Sequence, residues 1–166
     1  MADFLQIALT GHAELVASLK QAVQRLEHPH ELMQAIGDEL KAAIELRFET
    51  KRDPNGAPWA PLADSTRERY AAEDKGARRG TLLERTGQMR NSLTVNAGDD
   101  WVEVGMSRLT ARGGAWSIPL LHETGTTRMP RRAIFLADWE TGTLGREDAA
   151  ALDAVLSEFL DDAFGA

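Results

Sequence analysis

Four histidines supply the imidazoles of this chain, and their neighbours decide what each could do: His12, His28, His30 and His122. His122-Glu123 sets a base beside a carboxylate, a pair able to perform general acid–base work if a substrate reaches it. The usual companions of such a pair are missing. No Gly-x-Ser-x-Gly elbow, phosphate-cradling glycine loop or dinucleotide fingerprint accompanies it, and Ser117, five residues earlier, has no nucleophile's surroundings. The pair reads as a histidine that hydrogen-bonds locally and pins a turn, with a hydrolase built on His122 and Glu123 as the catalytic alternative. His28-Pro29-His30-Glu31 carries metal-capable side chains without the helical i, i+4 spacing that turns two ligands to one side, so it reads as two solvated histidines at a helix junction. No metal and no cofactor is expected. Cysteine is absent, which excludes a thiol nucleophile, a disulfide framework and a cysteine zinc site.

The arginines at 78, 79, 85, 90, 108 and 112 could contact phosphate, and a DNA-binding packaging accessory using Arg78, Arg79, Arg108 and Arg112 is the alternative they raise. Against it stands the whole-chain charge: 19 Lys+Arg face 26 Asp+Glu, a net −7 that disfavours loose binding to nucleic acid or anionic membrane. Nor do aromatics interleave with the basic run, as a stacking surface for bases would require. The charge is blocked along the chain. Residues 51–90 are net +3 and residues 106–132 net +4, while residues 1–50 are net −4, 91–105 net −3 and 133–166 net −7. Such blocks are either solvated surface or complementary faces by which copies of the chain meet. The four tryptophans, Trp59, Trp101, Trp116 and Trp139, read as core or interface anchors.

With 166 residues, 43% of them apolar, the chain can bury a core without staples, and it reads as one soluble, intracellular domain spanning 1–166. No stretch is apolar and long enough for a membrane helix, and Met1-Ala2-Asp3-Phe4 lacks the basic start of a signal peptide. Leu5, Ile7 and Leu9 alternate as in a short strand over 4–9. Leu15, Leu19, Val23 and Leu26 then form a helical stripe over 11–27. Pro29 breaks it and opens a second helix, in which Leu32, Ile36, Leu40, Ala43 and Phe48 share a face. The two helices could pair as a hairpin, or one could lie on the sheet and the other on a neighbouring subunit.

Asp53-Pro54-Asn55-Gly56 is a turn signal, followed by an extended Pro58–Leu62 and a helix from Asp64 or Ser65 to about Glu73. Residues 75–80 and 107–114 read as basic, mobile loops. Thr86 caps a helical turn holding Met89 and Arg90, and Leu93–Ala97 and Trp101–Met106 form a hairpin across Gly98-Asp99-Asp100. A short helix over Trp116–Glu123 ends at Gly125, a strand is expected at Ala133–Leu136, and Leu152, Val155, Leu156 and Phe159 mark a helix over 146–164. The class is α+β: a small antiparallel sheet with N-terminal helices and a C-terminal helix. The three stretches are a helical part (1–50), a central part with the basic loops (51–137) and an acidic tail (138–166).

The order of motifs carries a resemblance. Asp53-Pro54-Asn55-Gly56-Ala57-Pro58-Trp59-Ala60-Pro61-Leu62 is followed by Leu82-Leu83-Glu84-Arg85-Thr86-Gly87-Gln88-Met89-Arg90-Asn91-Ser92-Leu93. Val102-Glu103-Val104-Gly105, Leu121-His122-Glu123-Thr124-Gly125 and Pro130-Arg131-Arg132-Ala133-Ile134-Phe135-Leu136 come next. Over about residues 30–137 this resembles the phage virion morphogenesis, or tail completion, family of Mu-like and P2-like tailed phages. Ile118-Pro119 stand where that family commonly has Tyr-Ala, and Ala133 where it commonly has a second proline. The resemblance implies a structural protein rather than an enzyme, acting in the virion tail or neck after assembly in the host cytoplasm. Its implied partners are further copies of itself in a ring of six, the tail tube or terminator, and head-connector proteins, with DNA only as passing cargo and no membrane. The implied scaffold residues are Pro54, Gly56, Trp59, Thr86, Gly87, Arg90, His122, Gly125, Pro130 and Arg132, the last in a fold-holding or intersubunit salt bridge. On this reading the acidic terminal helices face either a neighbour's basic stretch or the DNA channel.

Overall fold

The computed structural model describes residues 12–73, 82–108 and 116–164. The expected strand at 4–9, the basic loop at 75–80 and most of the loop at 107–114 lie outside them. In chain order the elements are α1 (His12–Glu27), α2 (His30–Thr50), α3 (Asp64–Glu73), one turn of 3-10 helix (Arg90–Ser92), β1 (Leu93–Ala97), β2 (Val102–Met106), α4 (Ile118–Thr124) and α5 (Arg146–Phe164). Among the described residues five helices and a two-stranded antiparallel sheet make a small α+β fold.

The hairpin shows why it must be covered. Leu93, Val95 and Ala97 pair with Met106, Val104 and Val102, so every second residue puts an apolar side chain on the same face. Thr94, Asn96, Glu103 and Gly105 take the other. A two-stranded sheet is marginal alone and needs a helix on its apolar face. That helix is α2, which packs on both strands and on α5. Gly37 permits the approach: a Cβ there would sit 2.3 Å from Val95 Cγ1 and 2.9 Å from Val102 Cγ2. Trp101, expected as the first residue of the second strand, instead covers the turn; its carbonyl accepts the Gly98 N–H at 2.9 Å.

The core is built where α2 ends. Ile44, Phe48, Trp59, Leu82, Met89, Leu93 and Ile134 cluster there, with the Phe48 and Trp59 rings edge-to-face at 5.6 Å. Phe48 and Ile134 are wholly buried, each contributing about 1.5–3 kcal/mol of apolar burial. The first helix departs from expectation. α1 packs on α5, with Ala22 buried and the Arg25 guanidinium over the Phe159 ring, so its partner is the C-terminal helix rather than α2.

The strand expected at Ala133–Leu136 does not form. The segment runs without a paired strand, because side chains from elsewhere take the hydrogen bonds that a neighbouring strand would supply.

The start of α5 is held by a close approach: a Cβ on Gly145 would lie 2.2 Å from the Pro54 carbonyl oxygen. Gly145→Ala therefore forces backbone apart, and a loss of about 1–3 kcal/mol is expected for such overpacking. Gly105, whose Cβ position meets nothing within 4 Å, is the matched control. Urea titration should show a lower midpoint for Gly145→Ala and none of that loss for Gly105→Ala.

Candidate functional site

Glu123, on the last turn of α4, is 1% exposed. Its carboxylate accepts the backbone N–H groups of Ile134 at 2.6 Å, Phe135 at 2.9 Å and Leu136 at 3.1 Å. The Arg131 guanidinium stands 3.5 Å from the same carboxylate. Arg131 also donates to the carbonyls of Glu123, Leu136 and Ala137 at 2.7, 2.8 and 3.1 Å. The chain can fold back to place these groups because Gly125 ends α4 at φ +73°, where a Cβ would lie 2.9 Å from the Arg131 nitrogen. Pro130 is exposed and follows the Thr126–Met129 turn.

The carbonyls of the same segment are held from the opposite side. Arg47 of α2 donates to the Ile134 carbonyl at 2.8 Å, and the Trp59 indole N–H to the Ala133 carbonyl at 2.8 Å. Arg47 Nη2 also donates to both carboxylate oxygens of Asp148 of α5, and both residues are nearly fully buried. Arg132 is buried too, and among the described residues it makes no salt bridge within the fold, the first of the two expected roles. Its Nε and Nη2 donate to the carbonyls of Ala60 and Pro61 at 2.7 and 2.9 Å, tying the segment to the extended Pro58–Leu62 arm. Burial lowers its pKa.

The arm is positioned by the expected turn. Asp53 accepts the N–H groups of Asn55 and Ala57 on Oδ1, both at 2.9 Å, and Gly56 takes φ +80°. Pro54 is buried beneath Gly145. Lys51 ends α2 in the left-handed region at φ 58°, and its Nζ reaches Glu84 at 2.5 Å. Glu84 is held by Arg90 at 2.9 Å, and Arg90 in turn by Glu49 at 2.9 Å. Burial pushes the Glu84 carboxyl up, but hydrogen bonds from Lys51 and Arg90 outweigh it and hold the group below its ordinary value. The same bonds, to Glu84 and Glu49, raise Arg90. Thr86 Oγ1 accepts weakly from the Gln88 N–H at 3.4 Å, and Gly87, at φ 71°, makes the corner before the 3-10 turn.

His122 lies in the same layer. Its Nδ1 is buried and has no partner among the described residues, and its backbone carbonyl accepts the Arg132 N–H at 2.8 Å. Burial first, and the nearby Arg132 charge second, push its pKa down to about 4. The imidazole is neutral at pH 7. Glu123 is fully committed to backbone amides and Arg131, so His122 and Glu123 do not form the acid–base pair their adjacency suggests. His28 and His30 lie at the α1–α2 junction, and among the described residues no three of His, Asp and Glu converge as a metal site. Among the described residues, too, no helix is long and apolar enough to cross a membrane.

Trp59, Gly125 and Arg132 thus meet around one segment, Pro54 lies against Gly145 at the start of α5, and Arg90 belongs to the adjoining Glu84 cluster. Sequence reasoning did not single out Arg47, Asp148, Glu84, Gly37 or Gly145. A signal existed for the first two. Arg47 falls between Ile44 and Phe48 on the apolar face of α2, and Asp148 continues the Leu152–Val155–Phe159 stripe of α5, so opposite charges sit on two faces that must be buried.

The fold and this site define a scaffold, in which buried charge is directed at backbone and at opposite charge. The chain belongs to the phage virion morphogenesis family, whose family model matches residues 12–156. That is a structural, assembly family, which makes the chain a phage-associated morphogenesis protein. No curated protein and no solved structure matches it.

Glu123→Gln keeps the shape but turns one acceptor oxygen into a donor facing amides. A loss of about 3 kcal/mol, read by urea titration, is expected from breaking a buried charged network. Acid should also destabilise the fold. The unfolded chain protonates His122 at its ordinary 6.5 and the folded chain only near about 4, so stability falls as pH drops across that window. Glu84, lowered in the fold, adds to the loss below its ordinary 4.5. Thermal melts from pH 7 to pH 4 should show Tm falling, with a shallower slope above pH 4.5 in His122→Gln.

Proposed function

We propose that the chain is a non-catalytic subunit that completes the phage tail or joins it to the head, working as a ring of copies, six on the family resemblance. The observation that carries this reading is the disposition of charge. Arg47, Glu84, Glu123, Arg132 and Asp148 are buried and bonded within the fold. His122 is half-buried and neutral at pH 7. What the molecule offers outward is shape, blocks of opposite charge and large exposed aromatics: Trp101, Trp116 and Trp139 are 50%, 65% and 46% exposed. Exposed apolar surface of this kind marks protein–protein contact. Blocks of opposite charge suit head-to-tail contacts, which close into rings when the rotation permits. Its partners on this reading are other copies, the tail tube or terminator and the head connector, with DNA as passing cargo. Its place is the tail or neck, after assembly in the host cytoplasm.

Disrupting the reading frame in a phage that carries it should give lysates with filled heads and separate or overlong tails, counted by electron microscopy and restored by the gene in trans. Joined, infectious particles from the disrupted phage would overturn the proposal.

A further inference from the structure

Resting on the assembly reading above, we infer that the outer face of α5 docks on the arginine-bearing end of a neighbouring copy of this chain. α5 carries two parallel rows on its outward side. Leu156, Leu160 and Phe164 recur at i, i+4 and i+8, and Asp153, Ser157 and Asp161 run beside them at the same spacing. Leu156 and Phe164 are 42% and 54% exposed, Leu160 between them is half-buried, and both aspartates are exposed. Among the described residues neither aspartate is in an ion pair. A face made only of carboxylates would be a solvated helix side. One with an apolar row along it leaves hydrocarbon in water unless something covers it, and a DNA channel would leave it wet.

The complementary surface lies elsewhere on the molecule. A hollow of about 240 Å³ between α3, the Leu83–Met89 segment and α4 has apolar walls, Leu62, Leu83 and Ile118 among them, with Arg85 and Arg108 at its lining. Arg85 is ordered there by Glu73 at 2.7 Å and by the Tyr70 ring, whose centroid is 4.2 Å away. In the sequence Arg85 follows the basic stretch at 75–80, and Arg108 opens the one at 107–114. An apolar row flanked by carboxylates thus has its counterpart in an apolar hollow flanked by guanidinium groups.

The same charges fix the kind of contact. α5 against α5 would oppose aspartate to aspartate, and hollow against hollow would oppose arginine to arginine. Only unlike faces match. Within one copy α5 is packed on α2 and α1, so the two surfaces meet between copies, in the heterologous manner that builds rings.

Charge swapping tests this. Asp153→Lys/Asp161→Lys alone and Arg108→Glu alone should each sediment as smaller species than the wild type, with association weakened at least tenfold and Tm unchanged. Mixed one to one, the two variants should reassemble, because each then meets a matched face. A second measurement is independent of charge. The chain has no cysteine, so oxidising a mixture of Asp161→Cys and Arg108→Cys proteins should give the mixed disulfide dimer in excess of either homodimer. Wild-type-like assembly of either reversed variant, no recovery on mixing, a dominant Asp161→Cys homodimer, or a wild type that stays monomeric would each overturn the inference. So would Arg108→Glu abolishing binding of a duplex DNA probe while leaving the assembled mass unchanged. Reversed variants that still rescue the disrupted phage would sink this interface alone. A disrupted phage that still makes joined particles would sink the functional reading itself.

Discussion

Three backbone amides pointing at one buried carboxylate organise this molecule. Residues 133–136 cross the interior with no strand beside them, and unbonded amides there would each carry a desolvation penalty of about 1–3 kcal/mol. Glu123 removes that penalty for Ile134, Phe135 and Leu136 together. The arrangement runs both ways, because the amides and Arg131 are what make a buried carboxylate tolerable. Ile134 can then sit wholly buried between Phe48 and Trp59, and the core closes around a segment with no regular structure of its own.

The remaining buried charges extend this pattern outward from α2. Arg47 bonds the Ile134 carbonyl with one nitrogen and Asp148 with another, so one guanidinium ties the central helix to the irregular segment and to the C-terminal helix. Arg132 ties the segment to the arm that follows the Asp53–Gly56 turn. Lys51, Glu84, Arg90 and Glu49 knit the end of α2 to the corner before the hairpin. Among the described residues two short strands give few ladder bonds to hold distant pieces in register, and these charge-assisted bonds serve instead. Removing Arg47 or Asp148 would leave the other charge buried and uncompensated, which makes that pair a strong specifier of a single arrangement.

For a member of a virion morphogenesis family this division of labour is sensible. Inside, charge fixes shape; outside, charge and exposed aromatics remain for contact. The half-buried His122, its Nδ1 shut off from solvent and its pKa held low, packs into that framework.

Much of this was legible in the chain. Local signals determined the turn at Asp53–Gly56, the end of α4 at Gly125, the alternating hairpin and the stripe of α5, because turn chemistry and periodicity act over a few residues. The family was legible from its motif order, since those motifs lie at the corners that set the fold. What only the tertiary structure decided was the pairing of distant partners. α1 chose α5 over α2, Arg47 found Asp148 across 101 positions of sequence, and Ala133–Leu136, apolar enough to read as a strand, lost that identity. A strand needs a neighbour to bond with, and here the Glu123 carboxylate, the Trp59 indole and the Arg47 guanidinium, joined by the adjacent Arg131, take those bonds instead. No local pattern encodes that outcome, because the energy lies in burying groups together that the sequence keeps apart.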